Sequence, residues 1–157
     1  MKEIRLTRGL VAIVDDEDYE SLSAYRWYAK RTGGRAPKDY ACRSMGGPRG
    51  PRVLMHRTII NAPAGMDVDH INGDALDNRR CNLRVATRSQ NLQNRPKQKN
   101  NSSGYKGVSK YRTGRWMASI RVNGTCKYLG YHSTPEAAHA AYCAAAKELH
   151  GEFARSI

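Results

Sequence analysis

The chain has 157 residues, with 27 Lys and Arg against 14 Asp and Glu and a formal net charge of +13 at pH 7. This length suits one domain or two small ones, and the basic excess favours a polyanion such as nucleic acid as the partner. The sequence has no long apolar run, signal peptide, lipidation motif or C-x-x-C pair, so we expect a cytoplasmic protein with reduced thiols, without membrane association or a structural zinc site.

Residues 1–64 are predicted to form a small α+β region. Short apolar segments at 4–6 and 10–14 flank a Thr-Arg-Gly turn and predict a β-hairpin. Residues 15–28 predict a helix, because the four acidic residues that open it suit the positive N-terminal end of a helix. A metal site at this acidic cluster is the alternative, and a helix start explains the cluster more simply.

Two further strands are predicted at 39–43 and 52–55, on either side of a Gly- and Pro-rich loop at 46–51. A short helix follows at 56–60. His56, at the start of this helix, is a candidate for a second catalytic histidine. A packing role, or a role in supporting the catalytic residues, suits it better.

The segment 66–71 is predicted to be extended and is followed by a tight Asn-Gly-Asp bend. A second short strand is predicted at 82–87 and the start of a helix at 89–92, which makes a unit of two strands and a helix. Asp69 and His70 are neighbours in the first strand. Asp69 offers a metal-binding oxygen, and His70 an imidazole that can take a proton from water. By itself, Asp-His-x-Asn-Gly is also compatible with a simple turn.

The spaced set Asp69, His70, Asn82 and Asn91 resembles the site of the HNH nucleases, a ββα-metal motif, in the variant where an Asn replaces the last His. The resemblance implies that Asp69 and Asn91 bind a divalent metal, Mg²⁺ or Mn²⁺, with DNA phosphate and waters in the remaining positions. It also implies that His70 is the general base and that Asn82 fixes the loop that orients His70. HNH relatives often carry a His-Arg pair at the place of His56.

A basic stretch without any acidic residue covers 78–135. Its Lys and Arg residues are Arg79, Arg80, Arg84, Arg88, Arg95, Lys97, Lys99, Lys106, Lys110, Arg112, Arg115, Arg121 and Lys127. So long a span favours contact with phosphate groups over a merely solvated basic face. We expect Arg84 and Arg88, inside the motif at 65–95, to contact DNA. Residues 96–103 are polar, without apolar periodicity, and predict a flexible basic linker.

The last part, residues 104–157, predicts three consecutive strands and a helix. The strands are predicted at 105–111, 115–122 and 125–131, with turns at Thr113-Gly114 and Asn123-Gly124. The helix begins with a Ser-Thr-Pro-Glu capping box, is rich in Ala and ends at Gly151. Strand alternation places Trp116 and Ile120 beneath this helix and leaves the opposite face of the sheet open.

This part resembles the APETALA2-type DNA-binding domain of plant ethylene-response factors, which also occurs fused to phage HNH nucleases. The matching pieces are 105–108, 114–116, 120–121, 128–130 and the helix start at 134–138. The sheet of that family lies in the major groove of DNA, and the positions that match its contacts are Lys106, Arg115, Arg121 and Tyr128. Ser109, Tyr111, Ser119 and Cys126 stand where the plant domains usually carry charged residues, so the resemblance implies general duplex affinity. A domain used for packing alone is the alternative.

The sequence therefore predicts an α+β protein in which a small N-terminal region leads into a ββα-metal motif and then a three-stranded antiparallel sheet packed on one helix. The expected function is metal-dependent hydrolysis of phosphodiester bonds in double-stranded DNA, by nicking or by double-strand cleavage, in a phage-type, homing-endonuclease-like enzyme. We expect a monomer in the cytoplasm of a bacterial host cell. The alternatives are a DNA-binding regulator with a non-catalytic HNH scaffold and an RNA-directed module.

Overall fold

The structure is a computed structural model that describes residues 1–33, 37–47, 49–98, 100–112 and 114–155. Lys99 of the basic stretch, Pro48 of the predicted loop and Thr113 of the first predicted turn lie outside the described residues. The chain divides into two compact units, Met1–Ala86 and Thr87–Ile157. Both contain helices and antiparallel sheets, which confirms the α+β class.

The first unit contains seven strands and two helices among its described residues. In chain order they are β1 (Lys2–Arg5), β2 (Val11–Val14), α1 (Asp16–Ser23), β3 (Tyr28–Arg31), β4 (Asp39–Ser44), β5 (Arg52–Leu54), α2 (Met55–Ile60), β6 (Asp67–His70) and β7 (Leu83–Ala86). Strands β1 and β2 pair, β3, β4 and β5 form a sheet in that order, and β6 pairs with β7, each time antiparallel. The structure confirms the predicted N-terminal hairpin, β1-β2, and the two predicted strands of the Asp-His motif, β6 and β7.

The first helix ends earlier than predicted. α1 stops at Ser23, residues 24–27 form a turn and an irregular segment, and β3, which the sequence pattern did not predict, begins at Tyr28. The indole of Trp27 turns inward and donates to the Leu22 carbonyl at 2.8 Å, and Tyr28 pairs with Cys42 of β4. The last five residues of the predicted helix therefore lead into the sheet.

The acidic start of α1 is confirmed as the beginning of a helix, with three carboxylates in its first turn. Acidic residues at this end of α1 also bind Arg80, which lies just before β7. The Arg80 guanidinium contacts Asp18 at 2.7 Å and Glu17 at 2.9 Å, and its backbone N–H donates to Asp15 at 2.7 Å. The cluster therefore holds the segment that leads into β7.

One hydrophobic core supports the whole first unit. Ile4 and Val14 from the N-terminal hairpin, Met55 from α2, Val68 from β6 and Leu83 from β7 belong to the same buried cluster. The N-terminal region and the strand pair that carries Asp69 and His70 are thus packed together, because neither has enough apolar surface to form a core alone.

The second unit contains the predicted sheet and helix. In chain order its elements are α3 (Arg88–Gln93), β8 (Val108–Lys110), β9 (Trp116–Val122), β10 (Thr125–His132) and α4 (Pro135–His150). The strands form an antiparallel sheet in the order β10-β9-β8, α4 starts with Thr134 accepting from the Ala137 N–H at 3.2 Å, and Gly151 follows its last residue. No helix in the described part of the chain is long and apolar enough to cross a membrane.

The two faces of the sheet in the second unit differ as the alternation predicted. Ala118 and Ile120 of β9 are buried in clusters with residues of α4, and Trp116 packs partly buried on the same side. Arg115 and Arg121, at alternate positions, are exposed. The first strand is shorter than predicted, because the chain turns at Gly107, whose φ of +75° suits glycine.

Candidate active site

Asp69 and His70 close β6, and both are buried, at 4% and 5% exposure. The strand register places Asp69 opposite Arg84 of β7. Arg84 donates to one carboxylate oxygen, Oδ2 of Asp69, from Nε at 2.9 Å and from Nη2 at 2.7 Å. The carboxylate of Asp69 is therefore held in place by a short charged contact in a region that water reaches poorly.

Asn82 holds the loop that follows His70. Its Oδ1 accepts from the Asn72 backbone N–H at 2.9 Å, and its Nδ2 donates to the Asp77 carbonyl at 2.8 Å. The backbone carbonyl of Asn82 also accepts from the Ile71 N–H at 2.9 Å. One buried amide thus connects both ends of the loop between β6 and β7, which is the contact pattern that the predicted role of Asn82 requires.

Two residues that the sequence reasoning missed complete this loop. Asp77, 3% exposed, accepts from Arg79 at 2.7 Å and from the Asn72 side chain at 2.9 Å, and the bonds from Arg79 lower the pKa of its carboxyl. Asn78 is fully buried, and its N–H donates to the Ile13 carbonyl of β2 at 2.8 Å. The sequence shows only a run of Asp and Asn at this place. It does not show that these residues are buried, because their burial depends on contact with the distant strand β2.

A buried aromatic cluster surrounds His70. The ring centroid of His70 lies 5.0 Å from that of His56 and 6.0 Å from that of Tyr40, with edge-to-face geometry. His56 and Tyr40 are 5.5 Å apart. His56 is 5% exposed, and its Nδ1 has no hydrogen-bond partner among the described residues. His56 therefore packs directly against the candidate base.

Burial controls the charge of both histidines. Desolvation, followed by the nearby charges of His70 and Arg57, lowers the pKa of His56 to about 3. Desolvation also lowers the pKa of His70, although a hydrogen bond with Asn78 and the carboxylate of Asp69 act in the opposite direction. Both imidazoles are consequently neutral at pH 7.

Two basic side chains support the segments on either side of β6. Arg57 donates to the Met66 carbonyl at 2.7 Å and to the carbonyls of Ala62 and Pro63 at 3.2 and 3.1 Å, which fixes the chain entering the strand. Lys38 donates to the Gly73 carbonyl at 2.9 Å in the loop that leaves it. The Arg of the His-Arg pair thus has a structural role.

Asn91 lies on α3, in the second unit, so its approach to Asp69 stays a prediction. Among the residues that the structure describes, no three His, Cys, Asp or Glu side chains are grouped to hold a metal ion. A single carboxylate with an amide oxygen suits Mg²⁺, which keeps several waters and takes substrate phosphate as a ligand. The oxygen donors therefore fit a hydrated ion better than a metal enclosed by protein side chains.

The predicted DNA-contacting residues have different environments. Arg84 pairs with Asp69, and its side chain is 12% exposed. Lys106 donates to the carbonyls of Gln93 at 2.7 Å and Arg155 at 2.9 Å, and burial lowers its pKa to about 8. Arg88, Arg115, Arg121 and Tyr128 are exposed. The ammonium group of Lys106 is thus engaged inside the second unit.

Comparison with known proteins agrees with this geometry. The HNH endonuclease family model matches residues 61–93, which include all four residues of the predicted site. An uncharacterized HNH endonuclease of Acanthamoeba polyphaga mimivirus is 34% identical over 153 residues, which cover 94% of this chain and 74% of the viral protein. Protein 3.8 of Escherichia phage T7 is 33% identical over 94 residues, 59% of this chain and 77% of the phage protein. No solved structure is significantly similar to this chain. Since the similarity to the mimivirus protein extends over nearly the whole chain, the chain belongs to the HNH endonuclease family.

Proposed function

We propose that the protein is a divalent-metal-dependent endonuclease that hydrolyses phosphodiester bonds in DNA, with His70 as the general base. Membership of the HNH family supports nuclease activity in general. The observation that carries the specific proposal is the position of Asp69 and His70, adjacent and buried at the end of β6, with the following loop held by Asn82.

The role of His70 follows from its protonation state. Because burial lowers its pKa, the imidazole is neutral at pH 7 and has a lone pair for a water proton. The water oxygen then bonds to the phosphorus, its proton passes to His70, and the bond from phosphorus to the leaving strand oxygen breaks. The leaving oxygen takes a proton from solvent. His56 and Tyr40 fix the ring by packing against it.

Asp69 and Asn91 are the residues that we expect to hold the ion, Mg²⁺ or Mn²⁺. HNH nucleases in general depend on a divalent metal, and a bound ion would stabilise negative charge on the phosphate and the leaving oxygen. In the structure the Asp69 carboxylate is neutralised by Arg84 instead. Arg84 therefore holds the carboxylate of Asp69 in a fixed position at the end of β6, beside His70.

The second unit supplies the contacts with double-stranded DNA in this proposal. Its sheet has an open face with exposed Arg115 and Arg121, as the APETALA2-like pattern requires, and the surrounding stretch contains no acidic residue. Tyr128, Arg88 and Lys106 are further expected contacts. As a monomer with one site, the protein would nick one strand per encounter. The viral and phage relatives agree with a phage-type nuclease in a host cell.

Conversion of supercoiled plasmid tests the proposal. We expect open circles with Mg²⁺ or Mn²⁺, no conversion in EDTA, and no conversion by His70→Ala. His132→Ala, on β10, is the matched control and should cleave like the wild type. DNA binding without any metal-dependent conversion would overturn the proposal and favour a DNA-binding regulator with a non-catalytic scaffold.

A further inference from the structure

Three exposed tyrosines meet on the sheet of the second unit. Tyr111, Tyr128 and Tyr131 are 40%, 55% and 41% exposed. The ring centroid of Tyr131 lies 4.4 Å from that of Tyr111 and 5.1 Å from that of Tyr128. Scattered exposed hydrophobic residues are ordinary on a protein surface, whereas three aromatic rings linked by the contacts of Tyr131 form one continuous patch. We call these three residues the tyrosine cluster.

The tyrosine cluster lies on the face of the sheet that α4 does not cover. Tyr131 pairs with Met117 and Tyr128 with Ser119, and both partners alternate along β9 with the buried Ala118. Tyr111 follows β8, and its ring touches that of Tyr131. The rings therefore stand on the side of the sheet opposite the core, where a ligand can approach them.

The charge around the tyrosine cluster selects an anionic ligand. Arg115 and Arg121 are exposed and, at alternate positions with Met117 and Ser119, lie on the same face of the sheet as the tyrosine cluster, and the exposed Arg112 lies in the turn before β9. No Asp or Glu occurs between residues 78 and 135. A hydrogen bond with Tyr111, followed by burial, raises the pKa of Tyr131 to about 12, so its hydroxyl adds no negative charge at pH 7. Aromatic surface framed by positive charge matches a polyanion that also has exposed aromatic faces.

We propose that the tyrosine cluster is a stacking site for unpaired bases of a DNA strand, with the Arg side chains of the same face and of the neighbouring turn binding its phosphates. In a continuous duplex each base face is covered by its neighbours, and the rings would meet only groove edges and sugars. Unpaired bases present their faces to an aromatic side chain, and every base can stack. The proposal rests on the proposed function in taking DNA as the ligand, but it does not require cleavage. It makes gapped or locally opened DNA the preferred ligand of the second unit.

Fluorescence anisotropy in EDTA tests this proposal on the full chain, because binding is then measured without cutting. The probes are a duplex, the same duplex with a short central run of unpaired thymines, and a thymine single strand in DNA and in RNA form, all at equal salt. We expect the wild type to bind the DNA probes with unpaired thymines more tightly than the duplex. Tyr131→Leu, at the ring that contacts both other tyrosines, should weaken binding to those probes about tenfold and change duplex binding little, whereas Tyr131→Phe should keep the preference.

Leu and Phe are matched substitutions, because both remove the hydroxyl and only Phe keeps the ring. Equal affinity for duplex and gapped probes, an unchanged preference in Tyr131→Leu, or tighter binding of RNA than of DNA would each overturn the proposal. Plasmid cleavage with Mg²⁺ is measured on the same samples. Cleavage without a preference for unpaired thymines would refute only the stacking role of the tyrosine cluster. A preference for unpaired thymines without cleavage would refute only the nuclease proposal.

Discussion

The buried histidine beside the candidate base predicts a loss of stability in mild acid. The pKa of His56 is about 3 in the folded protein and 6.5 in its ordinary state. Below pH 6.5 the imidazole of His56 binds a proton in the unfolded chain but stays neutral in the folded chain. The free energy of unfolding therefore falls as the pH is lowered below 6.5, and His56 does not change it above that pH. Moving from pH 7 to pH 5 should cost about 2 kcal/mol from His56 alone, at about 1.36 kcal/mol per pH unit. Any folded-state pKa below about 4 gives nearly the same figure, because His56 is then still neutral at pH 5 in the folded state.

Urea unfolding in EDTA measures this effect in the first unit. The chain has two Trp residues, and in a Trp116→Phe background the fluorescence reports on Trp27, which is buried in the first unit. His56→Phe keeps an aromatic ring in the cluster and removes the titrating group. The pH-dependent loss should be smaller in this variant by about 2 kcal/mol.

His132→Phe, in the second unit, is the matched control and should keep the pH dependence of its parent in the Trp27 signal. The reasoning is refuted if His56→Phe and its parent lose the same free energy between the two pH values. Such a result would mean that His56 accepts a proton in the folded protein, and that its packing against Tyr40 and His70 does not exclude solvent.

Two further pairs of substitutions test the contacts that shape each unit. Asn82→Ala leaves two backbone groups of the site loop without their partner and should destabilise the first unit by about 2–4 kcal/mol, measured by urea unfolding with the Trp27 signal. Asn82→Asp, which keeps the acceptor oxygen and loses the donor, should lie between Ala and the wild type. Gly107→Ala forces a Cβ into the Tyr142 ring at a positive φ and should cost about 2–5 kcal/mol, seen as lost hydrogen-exchange protection in the second unit. Gly124→Ala has a similar φ with open space around the Cβ and should cost only about 1–2 kcal/mol; equal losses for the two glycines would contradict the steric explanation.

Local signals in the sequence predict the elements that local chemistry determines. The Asn-Gly turn and the alternation along β9 each correspond to a feature of the second unit. The start of α4 was predicted as well, but Thr134 caps it alone: the third helical residue is Ala137, so the predicted capping box does not form. In the first unit the sequence pattern gave the wrong end for α1, because contacts with a distant part of the chain determine where this helix stops. Residues 24–28 continue a helical pattern, yet Trp27 and the pairing of β3 with β4 remove them from the helix. A short window of sequence contains no information about that partner strand.

The candidate site shows the same division. The adjacency of Asp69 and His70 and the spacing to Asn82 are visible in the sequence, because they belong to one strand, one loop and the turn before the next strand. The positions of Tyr40 and His56 beside His70 depend on the β3-β4-β5 sheet and on α2, whose packing follows from the shared core. Residues far apart in the chain thus form the surroundings of the base, and no spacing rule connects them.

Arg84 shows that a count of charges does not identify the partner of a basic residue when the strand register is unknown. In the sequence it is one of many basic residues in a stretch without acids, and contact with DNA is the natural interpretation. Once β6 and β7 are paired, Arg84 lies opposite Asp69 and donates two hydrogen bonds to the same carboxylate oxygen. These two hydrogen bonds fix the carboxylate of Asp69 at the end of β6, next to His70. Arg84 is therefore first a partner of Asp69, and a contact of Arg84 with DNA stays a prediction.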